Sequence, residues 1–287
     1  MKKKVVVTGA AGMLGQDVVN AFYVAGFDVD AYDHQWLNIT SVRDVEESQA
    51  IALADVVVNC AAYTDVDGAE DDEEIALDVN CAGVQNLAEA VGRSGGFFIH
   101  ISTDFVFDGK KKSPYTEDDA LGPINAYGRT KMLGEVSLEH TTPCRWTILR
   151  TSWLYGRHGS NFVSKVVEFA RKNPDSQVFV VEDELGTPTY TRDLASAIVR
   201  VADEGIEGLY HCANSVPVSR VELARDALRR AGLRNPVQPA TDEEIRLLFQ
   251  LKALRPKMTA LDCGKLRGMG IEMRSWSEAL GDYFSDV

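Results

Sequence analysis

The segment that most restricts how this chain can fold is Lys4-Val5-Val6-Val7-Thr8, which runs directly into Gly9-Ala10-Ala11-Gly12-Met13-Leu14-Gly15. The β-branched run reads as a short strand buried on both faces. The glycines fall at G-x-x-G-x-x-G spacing rather than G-x-G-x-x-G. Gly9 permits a tight turn, Gly12 lets the backbone approach a pyrophosphate, and Gly15 lets the next helix pack closely on the strand. That helix is predicted over residues 13–25, with Leu14, Val18, Ala21, Phe22 and Ala25 on its core face. Its first amides point at the phosphates. Strand, glycine turn and helix in this order predict a dinucleotide site.

A second strand is predicted over residues 27–33. An acidic residue about 20 positions past the glycines meets the adenosine ribose in such sites. Asp33 is the candidate, with Asp30 in reserve. A carboxylate there suits a free 2′-hydroxyl and so favours NADH over NADPH, while both stay open.

Tyr127 and Lys131 lie four residues apart, which places them on one face of a helix. A phenol has an ordinary pKa of about 10, and a nearby ammonium favours the phenolate. Thr103, in Ile101-Ser102-Thr103-Asp104-Phe105, follows a predicted strand and brings a hydroxyl. Phenol, ammonium and hydroxyl are the equipment for reducing a ketone by hydride transfer. A Y-x-x-x-K pair by itself is common helix surface, and the glycine motif on the same chain raises its weight.

Apolar runs and helical patterns alternate through the first half. Strands are predicted over residues 54–60, 97–101 and 145–150, and helices over 75–93 and from just past Pro123 through Tyr127 and Lys131. The alternation predicts an α/β fold, a doubly wound parallel sheet of Rossmann type over residues 1–152, with later sheet elements around 187–212. Ligands then belong at the carboxyl ends of the strands, where Thr103 and the loop Ala61-Ala62-Tyr63-Thr64 lie. Residues 153–287 read mainly as a smaller, interleaved substrate-binding lobe. Its predicted helices cover residues 161–172, 191–202, 219–231, 242–252 and 275–284, with a short strand over 177–181.

The formal net charge of −13 argues against a nucleic-acid partner, because phosphate backbones demand basic surface. Five cysteines stand far apart with no C-x-x-C, which fits free thiols in a reducing cytoplasm. The apolar stretch after Lys2-Lys3-Lys4 is too short for a signal peptide, and no run approaches the roughly 20 apolar residues of a membrane span. The histidines show no metal-ligand spacing.

Taken together, these segments resemble the extended short-chain dehydrogenase/reductases that act on nucleotide sugars. Arg150-Thr151-Ser152-Trp153-Leu154-Tyr155-Gly156, Gly186-Thr187-Pro188-Thr189-Tyr190 and Arg255-Pro256-Lys257 resemble the branch of dTDP-4-dehydrorhamnose reductases within them. The resemblance implies reduction of the C4 ketone of a dTDP-hexose by NADH or NADPH, with Thr103, Tyr127 and Lys131 catalytic. It implies cofactor contacts from Gly9, Gly12, Met13, Leu14 and Gly15, from Asp33 and Asn38, and from Ala61, Ala62, Tyr63 and Asn80. Substrate contacts are implied for Thr64, Val66, Asp104, Phe105, Trp153, Asn161 and Arg255, the last two at the diphosphate. For Trp153, Thr64 and Val66 a packing role fits as well, for Asn80 a hold on the active-site backbone or a core hydrogen bond, and for Arg255 a surface ion pair. Homodimers using a divalent ion such as Mg2+ occur among such relatives, and no residues here place the ion. Asn38 stands where the family usually has Asp, Glu184 where Gln is common, and Phe105 where Tyr is commoner. Other nucleotide-sugar ketoreductases, epimerases or dehydratases, and a non-catalytic dinucleotide-binding regulatory subunit, are the competing readings. Phe105, where a dehydratase places an acid, disfavours elimination.

Overall fold

A computed structural model describes residues 2–285. Its centre is a six-stranded sheet built from β1 (Lys4–Thr8), β2 (Asp28–Tyr32), β3 (Val56–Asn59), β4 (Phe97–Thr103), β5 (Arg145–Thr151) and the strand Gly208–His211. In space the order is Gly208–His211, β5, β4, β3, β1, β2, and every neighbouring pair is parallel. Successive strand residues face opposite sides, so each strand feeds two cores. Val5, Val7, Val56, Val58 and Ile99 meet Leu14, Val18 and Phe22 of the helix Met13–Val24 and Leu194 and Ile198 of the helix Thr191–Glu204. On the other face, Val6, Val57, Phe98 and Ile148 meet Val84, Leu87 and Val91 of the helix Gly83–Ser94 and Leu138 of the helix Ala126–His140. This is the doubly wound arrangement expected, and double burial explains the near-unbroken apolar runs.

Strand order reverses at β1, which has β2 on one side and β3 on the other. Such a reversal opens a crevice at the carboxyl ends. Gly9 sits in it with φ +66°, and a Cβ there would lie 2.5 Å from the Ala61 nitrogen. A Cβ on Gly15 would lie 2.2 Å from the Gly9 carbonyl oxygen, so the helix can approach the turn only with glycine at that position.

Several elements differ from expectation. The helix over residues 75–93 is interrupted: Glu73–Leu77 and Gly83–Ser94 are α-helical, and Asp78–Ala82 between them is a π turn. Of residues 187–212 only Gly208–His211 joins the main sheet. Thr189–Tyr190 pairs instead with Leu154–Tyr155, and the helix Thr191–Glu204 covers the sheet. The second lobe has its own cores. Tyr155, Val163, Tyr190, Leu223, Leu280 and Tyr283 form one, and Val166, Val178, Val180, Val221 and Leu228 form another.

The helix Ala126–His140 is fastened to the sheet by a buried ion pair. Glu135 and Arg150 have side chains 2% and 3% exposed. Arg150 Nε donates to Glu135 Oε1 at 3.0 Å and Nη2 to Oε2 at 2.6 Å, and the Ser102 hydroxyl donates to the same carboxylate. Removing one partner of such a pair strands the other charge in the core. Glu135→Ala is expected to cost about 3–5 kcal/mol in urea unfolding, whereas replacing both residues by apolar ones of similar volume should cost much less. Equal losses in the two variants would mean that the pair does not carry this load.

Candidate active site

The crevice widens into a cleft of about 790 Å3 between the sheet ends and the second lobe. The glycine turn supplies Gly9, Gly12, Met13, Leu14 and Gly15 to its wall. Asp33 and Asn38 come from the segment after β2, and Ala61, Ala62, Tyr63 and Thr64 from the loop after β3. Thr103 and Asp104 at the end of β4, Tyr127 and Lys131 on the helix Ala126–His140, and Trp153 and Asn161 complete it. The sequence-predicted catalytic set is therefore gathered in one cleft with the glycine turn. Asp33 Oδ1 accepts from the Gln35 amide at 2.9 Å, while Asp30, the reserve, is paired with Lys4 at 2.9 Å.

Four predicted contacts lie elsewhere. Asn80 is buried behind the wall on the π turn. Its Oδ1 accepts from the Tyr63 amide at 2.9 Å, and its Nδ2 donates to the Tyr63 carbonyl and the Thr130 hydroxyl, each at 3.1 Å. It holds the backbone of a cleft residue, one of the roles the sequence left open for it. Phe105 packs edge-on against Tyr127, with ring centroids 5.9 Å apart. Val66 lies in the turn before the short helix Gly68–Asp71, outside the cleft wall. Arg255 forms an ion pair within the chain. Its Nη2 donates to Asp67 Oδ2 at 2.5 Å and its Nη1 to the Ala253 carbonyl at 2.9 Å, so the fork assigned to a diphosphate is engaged within the chain. Asn161, though on the wall, also has internal partners. It caps the helix Phe162–Lys172, and its Nδ2 donates to the Gly156 carbonyl at 2.9 Å.

Burial governs the electrostatics. It pushes the Tyr127 phenol up to about 12; a hydrogen bond with Thr103 opposes this and the Asp104 charge adds to it. The phenol thus rises where a lowering by Lys131 was expected, and Tyr127 is a protonated phenol at neutral pH. Burial also brings Lys131 down to about 8, against the opposing pull of Glu135. Its Nζ donates to the Ile101 carbonyl at 2.7 Å. Asp104 is pushed up to about 6 by burial, while the hydroxyls of Thr259, Ser152 and Thr103 and the Arg220 charge oppose the shift.

Trp153 has φ +46°, a left-handed conformation uncommon for a bulky residue. The Arg220 guanidinium stacks over its ring at 3.5 Å and reaches Glu184 Oε2 at 3.1 Å. The departure at Glu184 therefore has a partner: its carboxylate balances the arginine that backs the tryptophan. Sequence reading missed Arg220, and also His100 and Asn59 behind the catalytic helix. The only signal for the latter two was polarity at buried positions of apolar strands.

A model of the RmlD substrate binding domain family matches residues 3–287. The chain belongs to this family. It is 38% identical to the spore coat polysaccharide biosynthesis protein SpsK of Bacillus subtilis, over 99% of this chain and 97% of that protein. It is also 38% identical to a dTDP-4-dehydrorhamnose reductase of Mycolicibacterium smegmatis, over 100% of this chain and 86% of the relative. Among solved structures, the dTDP-4-dehydrorhamnose reductase of Bacillus anthracis in complex with NADP superposes with a TM-score of 0.94 at 34% identity, covering 100% of both chains.

The low Lys131 value carries a stability signature for this RmlD-family chain. A lysine whose folded pKa lies below its unfolded value costs stability wherever both states are charged. That cost is full below pH 8 and fades as pH rises from about 8 to 10.5. Lys131→Met should therefore be more stable than wild type at pH 7, by on the order of 3 kcal/mol less the lost Ile101 bond. The gap should close across that window in denaturant titrations. A gap independent of pH would show that Lys131 is not perturbed.

Proposed function

We propose that this protein reduces the C4 ketone of dTDP-4-dehydro-L-rhamnose to dTDP-L-rhamnose with NADPH or NADH. The observation that carries the reading is the convergence of Thr103, Tyr127 and Lys131 on one cleft wall, beside a glycine turn whose helix amides point into the same space. The names of the relatives support the substrate class. The residues present fit a dinucleotide. The Gly9–Ala61 approach leaves backbone for a pyrophosphate, and the Asp33 carboxylate suits ribose hydroxyls.

A bound dihydronicotinamide supplies the hydride. The Tyr127 phenol, protonated at neutral pH, donates to the carbonyl oxygen as it gains charge. The Thr103 hydroxyl orients that oxygen and stabilises it as charge develops. Lys131 holds the ribose hydroxyls next to the ring. Trp153, clamped by Arg220, offers a flat apolar wall to the sugar. A cytoplasmic location and a homodimer belong to the same reading, and light scattering on the purified protein tests the second.

The test is substrate-dependent oxidation of NADPH and NADH in parallel. Tyr127→Phe is expected to bind dinucleotide normally and to lose about 10²–10⁴-fold in turnover. Turnover of a different 4-keto sugar would keep the chemistry and change the substrate. Tight dinucleotide binding with no turnover on any nucleotide sugar would point to a regulatory subunit.

A further inference from the structure

Behind the catalytic helix, away from the cleft, runs a buried row of polar side chains that the mechanism does not use. His100 on β4 is fully buried, and its Nε2 lies 3.2 Å from Lys131 Nζ. Its other ring nitrogen, Nδ1, lies 3.2 Å from Nδ2 of Asn59, the equally buried last residue of β3. The Asn59 amide has one permitted orientation. Its Oδ1 accepts from the Ala61 backbone N–H at 3.1 Å, a group that can only donate, and from the Thr8 hydroxyl at 2.7 Å. Nδ2 therefore faces His100, so His100 Nδ1 is an acceptor. A neutral imidazole has a single N–H, which must then sit on Nε2, pointing at Lys131. Burial, and next the Lys131 charge, keep the ring neutral.

An amine has a lone pair to receive that N–H, whereas an ammonium has none. The row from Ala61 through Asn59 and His100 to Lys131 is thus fully satisfied around a neutral lysine and holds one proton too many around a charged one. The other groups facing Lys131 do not restore the balance. From β4 comes the Ile101 carbonyl. From the end of β3 comes the Cys60 thiol, held protonated by burial at about 12. On its own helix, Tyr127 stands one turn before, and Glu135 one turn after is committed to Arg150 and Ser102, so that its charge offsets only part of the lysine's burial. Among the described residues no carboxylate lies within ion-pair distance of Lys131.

We propose that His100, locked in one tautomer by Asn59, is a positioning residue that makes Lys131 give up its proton readily, so that the lysine is recharged when the vicinal hydroxyls of a dinucleotide ribose enter the cleft. Dinucleotide binding is then coupled to proton uptake through residues that touch no ligand. The inference rests on the cofactor part of the reading above and not on the sugar.

Two variants reverse the row's polarity. In His100→Gln the side-chain amide can present its oxygen to Lys131. In Asn59→Asp a carboxylate still accepts from Ala61 and Thr8 but draws the imidazole proton to Nδ1, which turns the Nε2 lone pair toward the lysine. Calorimetric titration of NADPH and NADH into the protein at about pH 8.5, in buffers of differing ionisation enthalpy, reads the protons taken up. Wild type should take up a large fraction of one proton, and both variants clearly less. The alkaline limb of kcat/KM should move up by about one pH unit or more in both. Uptake and pH profile unchanged in a variant that melts like wild type, or altered stability with unchanged uptake, would leave His100 a packing residue and overturn the proposal. Dinucleotide binding in wild type with no proton uptake sinks this inference alone, while no binding sinks the cofactor reading with it.

Discussion

The site depends on where one helix lies against two strands, and the Glu135–Arg150 pair sets that position. Two charges that could not be left alone in the core are satisfied only when the helix Ala126–His140 stands at one height over β4 and β5. At that height Lys131 reaches the Ile101 carbonyl, and Tyr127, one turn earlier, meets the end of β4 where Thr103 lies. Hydrophobic contacts alone, such as Leu138 against the sheet, would tolerate small sliding. A forked charge-assisted pair does not.

The second fixed point is the crevice at β1. The chain reverses its winding there, and the turn after β1 comes close to the loop after β3, with Gly9 against Ala61. Asn59 belongs to both fixed points. It ends β3, accepts from Ala61 in the loop that follows, and faces His100 behind the helix Ala126–His140. A few buried polar atoms thereby join the glycine-turn end of the cleft to the end where Tyr127 and Lys131 lie, in a region where every unpaired donor is costly.

Much of this was legible in the residues. The β-branched run of Lys4–Thr8, the glycines and the amphipathic helix after them identify the dinucleotide half, because their periodicity and backbone demands are local. The Tyr127 and Lys131 spacing and the Thr103 strand end were legible for the same reason. What escaped depends on distant partners. Arg255 left a diphosphate contact and an ion pair both open because Asp67 is far away in sequence. Asn80 left the active-site backbone, the cofactor and a core hydrogen bond all open, because nothing local announces the π turn that aims it at Tyr63 and Thr130. The Tyr127 pKa was expected to fall next to an ammonium, yet burial of the phenol, a property of the assembled cleft, decides its direction. His100 carried no pattern at all, since a histidine within an apolar strand reveals its tautomer only through its neighbours.

Asp67 also binds two distant parts of the chain together. It accepts from the amides of Lys252 and Ala253 as well as from Arg255, while the Asn125 side chain donates to the Leu254 carbonyl. The segment around Asp67 and the segment 252–255 are thus laced together by a few side chains across a long stretch of sequence, whereas the floor of the cleft is held by strands and paired charges. Drift in the lacing residues can move these two segments against each other without disturbing the floor. A lineage with this architecture is free to vary its periphery while inheriting the floor of the cleft intact.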